Sequence, residues 1–129
     1  MTETVSGRPG TVLVVDDEPL VRTLFEVLLS RRGHTVVTAA SVAEGRAASA
    51  QSAPDVAIID MFMPDGNGVD LIRTLRRTCP RTRIIAITGG GTWEGFDVLT
   101  NAKDAGADIT LRKPVPSEVI VEAVENLLA

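Results

Sequence analysis

The chain has 129 residues, of which 44% are hydrophobic and 23% are charged, a size and composition typical of one compact domain. Its formal charge of -4 and its lack of a basic cluster with interleaved aromatics argue against direct nucleic-acid binding and against an anionic membrane surface. No apolar run approaches the roughly 20 residues of a membrane span, and the single cysteine excludes an internal disulfide, so the sequence predicts a cytoplasmic protein without membrane insertion.

The first predicted strand and helix open the domain. Residues 1–10 are polar and predicted to be a flexible segment, and the predicted domain covers residues 11–129. An apolar strand over residues 12–15 is followed by Asp16 and Asp17, and Pro19 suits the first turn of a helix. That helix is predicted to stop at Gly33, and its apolar stripe consists of Leu20, Val21, Leu24, Phe25, Leu28 and Leu29.

Four further strands are predicted from short apolar runs, over residues 36–39, 56–59, 84–87 and 109–111. A helix is predicted after each of them, from an alanine-rich stretch after residues 36–39 and from apolar residues at helical spacing after the others. The helix after residues 84–87 is predicted to contain Trp93, Phe96, Leu99 and Ala102. Ser41 and Glu44 form a capping box at the start of the second helix. Residues 56–59 carry no polar side chain, which indicates a strand in the buried middle of a parallel sheet.

Five strands that alternate with five helices predict a doubly wound α/β fold, with a parallel sheet covered on both faces. In open sheets of this class, ligands bind in the crevice beyond the carboxyl ends of the strands. The polar residues that follow the strands are therefore expected to meet in one crevice: Asp16, Asp17, Asp60, Thr88 and Lys113.

The chemistry of this set points to a metal and a phosphoryl group. Each close pair of carboxylates repels by about 4 kcal/mol at an effective dielectric of about 20, so three of them either take up protons or hold a cation. Carboxylate oxygens suit Mg²⁺, which commonly binds through one or two carboxylates and a phosphate. Lys113 and Thr88 supply donors for phosphoryl oxygens, and Asp60, at the centre, can act as the nucleophile.

Four segments in this order, VLVVDDEP, VAIIDMFMPDGNG, IAIT and LRKP, resemble the signature set of the receiver domain of two-component response regulators. The resemblance extends from Thr11 to Ala129. It implies a flavodoxin-like (βα)5 three-layer sandwich with sheet order 2-1-3-4-5.

The resemblance also implies a role for each site residue. Asp60 matches the phosphoacceptor, Asp17 the direct metal ligand, and Asp16 its partner that acts largely through water. The backbone carbonyl of Phe62 completes the protein ligands of Mg²⁺. Lys113 matches the lysine that pairs with the phosphoryl oxygens, Thr88 matches the hydroxyl that moves toward them, and Pro114 is expected to follow a cis peptide bond.

Two positions depart from the family pattern. Thr110 stands where the family often carries a tyrosine or phenylalanine whose ring swings inward on activation. Phosphorylation is therefore expected to be transmitted by another rearrangement, for example of the loop Gly89 to Gly91. Phe62 places a bulky ring near the path of the water that hydrolyses the phosphoryl group, and it is expected to slow dephosphorylation.

The predicted function is signal relay rather than enzymatic turnover. The donor is expected to be a histidine kinase or a histidine phosphotransfer protein, which the family binds through the first helix and the loop after strand five, here Leu20, Leu24 and Pro114. Because nothing follows Leu128 and Ala129, the chain is expected to be a stand-alone regulator. Its output is then a contact with a target protein, and it is expected to be a monomer or weak dimer.

Other classes of function fit the sequence less well. An aspartyl-phosphate hydrolase of the haloacid dehalogenase type needs a second aspartate two residues after the nucleophile, where this chain has Phe62. A dinucleotide enzyme needs a glycine-rich loop after the first strand, where this chain has residues 16–19. A phosphorylation-independent scaffold with the same fold stays open because of Thr110.

Three further residues are predicted to have structural roles. His34, just after Gly33, is interpreted as a surface turn residue. Cys79, before Pro80, is interpreted as a small apolar filler, and Trp93 as a packing residue or an exposed residue at a helix start.

Overall fold

The computed structural model describes residues 9–89, 92–93 and 96–129, and it shows a five-stranded parallel sheet. The strands are β1 (Thr11–Val15), β2 (Thr35–Ala39), β3 (Val56–Asp60), β4 (Arg83–Thr88) and β5 (Ile109–Arg112). Their order across the sheet is β2-β1-β3-β4-β5. The predicted doubly wound fold and its strand order 2-1-3-4-5 are therefore confirmed.

Five helices and two short hairpins complete the described structure. The helices are α1 (Pro19–Arg31), α2 (Val42–Gln51), α3 (Gly68–Thr78), α4 (Val98–Ala105) and α5 (Ser117–Leu128). One hairpin, here named the β3–α3 hairpin, pairs Phe62–Met63 with Gly66–Asn67. The other pairs Thr92–Trp93 with Phe96–Asp97. Within the described residues, no helix combines the length and the apolar character needed to cross a bilayer.

The core lies in two layers, one on each face of the sheet, because side chains alternate along each strand. All five residues of β3 are buried, as the lack of polar side chains in its first four residues predicted. Ile59 packs with Leu71 and Leu75 of α3 on one face, whereas Ile58 packs with Leu29 of α1 on the other. Both faces of the central strands are therefore buried, and the polar residues at the carboxyl ends of these strands lie at one edge of the sheet.

The second helix begins as the sequence predicts. Ser41 Oγ accepts the Glu44 N–H at 3.1 Å, and the Glu44 carboxylate accepts the Ala40 N–H at 2.8 Å. Gly45, inside this helix, packs closely on the sheet, since a Cβ built there would lie 3.0 Å from Leu71 and 3.1 Å from Val15. The glycine lowers helix propensity but lets α2 approach the core.

The prediction of a helix that contains Trp93 and Phe96 is wrong for the first part of that helix. Both residues belong to the short antiparallel pairing, and α4 begins only at Val98. Threonine, tryptophan and phenylalanine favour extended backbone, which explains why an apolar spacing typical of a helix was misleading there. The side chain of Trp93 lies outside the described part of the structure, as do Gly90 and Gly91 of the predicted reporting loop.

The interpretation of His34 as a surface residue is also wrong. Gly33 adopts a φ of 92°, and the turn directs His34 inward, where it is 4% exposed. Its Nδ1 accepts the Gly10 N–H at 3.1 Å, and its Nε2 lies 3.5 Å from a carboxylate oxygen of Glu125 on α5. Cys79, in contrast, is a buried free thiol, as predicted.

The apolar stripe of α1 is only partly buried. Phe25 and Leu29 enter the core, but Leu20 is 85% exposed and Leu24 46% exposed. The prediction of a helix is correct, and its apolar face extends beyond what the sheet covers.

Candidate functional site

The site residues predicted at the carboxyl ends of the strands lie together at one edge of the sheet. Asp16 follows β1, Asp60 ends β3 and Thr88 ends β4, and Lys113 follows β5. Asp16, Asp60 and Thr88 are buried, whereas Asp17 is exposed. Parallel pairing imposes this convergence, because β1 and β4 both flank β3 in register.

Three carboxylates form the acidic part of the site. Oxygen atoms of Asp16, Asp17 and Asp60, one from each, all lie within 4.8 Å of one another. Burial raises the pKa of the Asp16 carboxyl above its usual 3.8, an N–H from Glu18 opposes this effect, and the neighbouring Asp60 charge adds to it. The cluster is therefore short of positive charge, and it offers only hard oxygen donors to a cation.

Lys113 supplies the positive charge in the site. Its Nζ lies 3.2 Å from Asp60 Oδ2, 3.7 Å from Asp16 Oδ2 and 3.7 Å from Glu18 Oε1. Burial lowers the pKa of the Lys113 ammonium, but the charges of Asp60 and Asp16 outweigh that effect, so the pKa is raised above its usual 10.5. The ammonium is therefore charged at neutral pH, and it donates to Asp60 Oδ2.

Backbone contacts hold the first loop of the site in place. The Arg22 guanidinium donates to the main-chain carbonyl of Asp16 at 2.7 Å, and the Glu18 N–H donates to Asp16 Oδ1 at 2.9 Å. Arg22 thus ties the loop after β1 to α1, and the Glu18 N–H closes a turn within the loop itself. Neither Arg22 nor Glu18 was identified from the sequence as part of the site. For Glu18 there was a signal, because it is a third acidic residue directly after Asp16 and Asp17.

The loops after β3 and β5 are ordered in the same way. Phe62 N–H donates to Asp60 Oδ1 at 3.1 Å, which leaves Oδ2 for Lys113. The main chain of Lys113 donates to the Thr88 carbonyl at 2.7 Å, and the peptide bond between Lys113 and Pro114 is cis. The cis bond agrees with the expectation from the family resemblance.

Phe62 lies at the rim of the site rather than in the core. Its residue is 51% exposed, and its backbone pairs with Asn67 in the β3–α3 hairpin. The position of Phe62 beside Asp60 therefore comes from the hairpin and not from packing of the ring.

A groove opens beside the acidic cluster, with a volume of about 520 Å³. Its apolar wall consists of Val21, Leu24, Phe25, Ile87, Pro114 and Val115, and Asp16, Glu18 and Lys113 lie at its polar end. The family resemblance suggested Leu24 and Pro114 as residues that contact the phosphodonor, but it did not predict that one groove contains both.

Comparison with known families gives a match of residues 12–125 to the response regulator receiver domain. The chain belongs to this family. Receiver domains are signalling domains that accept a phosphoryl group on an aspartate at a Mg²⁺-binding acidic pocket.

Relatives of this receiver domain include larger regulators. This chain is 35% identical over 113 residues to the photosynthetic apparatus regulatory protein RegA of Cereibacter sphaeroides, and the aligned region covers 88% of this chain and 59% of RegA. It is 36% identical over 116 residues to the response regulator protein PilR of Pseudomonas aeruginosa, covering 90% of this chain and 25% of PilR. The chain therefore spans between a quarter and three-fifths of the length of these relatives.

Solved receiver domains share the fold. A receiver domain protein from Clostridium thermocellum superposes with a TM-score of 0.81 at 32% identity, covering 92% of this chain and 93% of that one. Several relatives are named as transcriptional or DNA-binding regulators. The exclusion of nucleic acid from composition therefore stays a prediction about these 129 residues alone.

Proposed function

We propose that this receiver domain is a Mg²⁺-dependent phosphoacceptor that takes a phosphoryl group on Asp60 from a phosphohistidine of a partner kinase or phosphotransfer protein. The observation that carries the proposal is the Asp60 carboxylate, which is 6% exposed and lies 3.2 Å from Lys113 within a cluster of three carboxylates. A buried carboxylate that has a cation at one oxygen and acidic neighbours fits a role in phosphoryl transfer better than a role as a solvated turn residue.

The donor set fits Mg²⁺. Carboxylate oxygens of Asp16, Asp17 and Asp60, with the backbone carbonyl of Phe62, would hold the ion, and the exposed position of Asp17 leaves the site open to water and phosphate. When bound, Mg²⁺ supplies the positive charge that neutralises the phosphoryl oxygens during transfer.

The residues of the chain then account for the transfer. An oxygen of the Asp60 carboxylate attacks the phosphorus atom, the new oxygen–phosphorus bond forms, and the phosphorus–nitrogen bond to the donor imidazole breaks. The donor imidazole keeps the electron pair and takes up a proton. Lys113, already charged and directed at Asp60, pairs with the phosphoryl oxygens, and the Thr88 hydroxyl is the further donor proposed for them.

The partner is proposed to bind along α1 and the groove beside it. The exposed side chains of Leu20, Leu24 and Val27 lie at intervals of four and three residues, so they form one stripe on α1. Leu24 also lines the groove that leads to Pro114 and Lys113. An apolar surface continuous with the acidic crevice suits a helical phosphodonor that must place its histidine at Asp60.

The output is proposed to be a protein contact that depends on phosphorylation. Phosphorylation changes the charge at Asp60 from -1 to about -2, and the added negative charge and bulk bias a pre-existing equilibrium between conformations. Thr110, which pairs with Ala86 in the sheet, stands at the position of the usual aromatic switch. The alternative that this feature favours is a scaffold that acts without phosphorylation, and the experiment below separates the two.

The test is the intact mass of the protein after incubation with acetyl phosphate. We expect one phosphoryl adduct on the wild type with Mg²⁺, no adduct without Mg²⁺, and no adduct on Asp60→Asn, which removes the nucleophile. Asp104→Asn is the matched control, since it makes the same change at an exposed position of α4 and should keep the adduct. A wild type that binds Mg²⁺ and gains no phosphoryl group would contradict the proposal and favour the scaffold.

A further inference from the structure

Asp65 connects two parts of the molecule that the proposed mechanism does not link. It lies in the turn of the β3–α3 hairpin, between the paired segments Phe62–Met63 and Gly66–Asn67. Its Oδ1 accepts the Val42 N–H at 3.0 Å and its Oδ2 accepts the Ala43 N–H at 3.1 Å. Val42 and Ala43 are the first two residues of α2, so the carboxylate ties the hairpin turn to the start of another helix.

The Asp65 carboxylate accepts hydrogen bonds from amides at the start of α2 that have no acceptor within the helix. The first amides of a helix have no partner within the helix, and α2 satisfies the Glu44 amide with Ser41. Asp65 satisfies two others from 22 or more residues away. These two N–H donors hold the pKa of the Asp65 carboxyl below its usual 3.8, in keeping with a charged oxygen pair at a helix N-terminus.

The hairpin that Asp65 anchors is the backbone beside the phosphoacceptor. Phe62 donates its N–H to Asp60 Oδ1, and Phe62 pairs with Asn67 across the hairpin. Gly68, directly after the hairpin, packs so closely that a Cβ there would lie 2.9 Å from the Asp60 carbonyl. The base of the hairpin is therefore fixed by close packing, and its turn is fixed by Asp65.

We propose that Asp65 is a positioning residue for the Mg²⁺ site. By tethering the turn of the hairpin to α2, it holds the Phe62 carbonyl where the ion needs it. The inference rests on the proposed function, because it concerns the same ion. It has a reciprocal consequence: if the tether favours Mg²⁺ binding, bound Mg²⁺ must strengthen the tether and protect the Val42 and Ala43 amides.

The test compares two variants that both remove a cap from α2. Asp65→Ala removes the cap and the tether, whereas Ser41→Ala removes only the bond to Glu44. We expect Asp65→Ala to weaken Mg²⁺ binding about tenfold by calorimetry, the lower end of the effect of outer residues on metal sites. Ser41→Ala should stay within about twofold of wild type, and Asp65→Asn, which keeps one acceptor oxygen, should lie between wild type and Asp65→Ala.

Amide hydrogen exchange provides a readout that general destabilisation would not move in the same way. In the wild type, Mg²⁺ should slow exchange of the Val42 and Ala43 amides, and in Asp65→Ala it should have no effect on them. An affinity of Asp65→Ala equal to that of the wild type, or an equal loss in Ser41→Ala, would overturn the inference. A wild type that binds no Mg²⁺ would instead overturn the proposed function, so the two failures are distinguishable.

Discussion

At the scale of single residues, the behaviour of the site follows from Lys113. One ammonium lies near three carboxylates, at 3.2 Å from Asp60 and at 3.7 Å from Asp16 and Glu18. It lowers the repulsion among the acids before any ion binds, and it also competes with a cation for the same oxygens. Lys113 should therefore have opposite effects on metal binding and on phosphoryl transfer.

Replacing Lys113 by glutamine tests this opposition. Without the ammonium, Mg²⁺ should bind about fivefold more tightly, since removal of one nearby positive charge is worth about 1 kcal/mol in a solvated site. Phosphorylation by acetyl phosphate should nevertheless become at least about tenfold slower, because the phosphoryl oxygens lose their cation. Calorimetry and adduct formation over time measure the two effects, and Lys103→Gln, in α4, is the control. Weaker Mg²⁺ binding in Lys113→Gln would contradict this account.

Phe62 is expected to control how long the phosphoryl group lasts. Its exposed ring stands two residues after Asp60, where we expect it to hinder the approach of water. Phe62→Asn should shorten the half-life of the phosphorylated form about fivefold, equivalent to ~1 kcal/mol of barrier, whereas Phe62→Leu should change it little. The decay of the adduct mass with time measures both, and an unchanged lifetime in Phe62→Asn would remove the ring as the cause.

The sequence could predict that the candidate site residues lie close together because the topology of the sheet brings them to one edge. Asp16, Asp60 and Lys113 follow strands that must share one edge of a parallel sheet. His34 and Asp65 were missed because their partners, Glu125 and the first amides of α2, lie more than 20 residues away along the chain. No local pattern encodes contacts of that kind.

At the scale of secondary structure elements, α3 and the turn after α4 are joined by one side chain. Arg76 of α3 donates to the Gly106 carbonyl at 2.9 Å, to the Pro80 carbonyl at 3.2 Å and to Asp108 at 2.8 Å. Gly106 has a φ of 125°, and a Cβ there would lie 2.5 Å from the Arg76 side chain. The guanidinium thus fixes the segment that connects α4 to β5.

Arg76→Lys should lower the free energy of unfolding by about 1–2 kcal/mol, because an ammonium cannot reproduce the planar arrangement of three donors. Arg77→Lys is the matched control, since Arg77 is the next residue of the same helix and is exposed. Urea denaturation of the two variants measures the difference. Equal stability of both would contradict the role given to Arg76.

The elements themselves were predicted unequally well. Strands β1, β3 and β4 were found within two residues at each end because their buried runs have sharp polar ends. The region before α4 was predicted wrongly because Trp93 and Phe96 fit a helical spacing but pair as extended backbone. The exposure of Leu20 was not foreseen either, since periodicity shows which residues share a face but not whether another element covers it.

At the scale of the whole molecule, the proposed functions share one edge of the sheet. The acidic cluster, the start of α1 with its exposed leucines, and the Asp65 contact at the start of α2 all follow the carboxyl ends of strands. Donor binding, metal binding and the tether to α2 can therefore influence one another over short distances. The central claim on which they depend is that Asp60 carries the phosphoryl group.

That claim is tested most directly by locating the modified residue. Acyl phosphates are reduced by borohydride to the alcohol, so a phosphorylated aspartate becomes homoserine, which peptide mass analysis can place in the sequence. After acetyl phosphate and Mg²⁺, homoserine is expected at position 60 alone. Homoserine at Asp16 or Asp17, or at no position in a protein that binds Mg²⁺, would contradict the account.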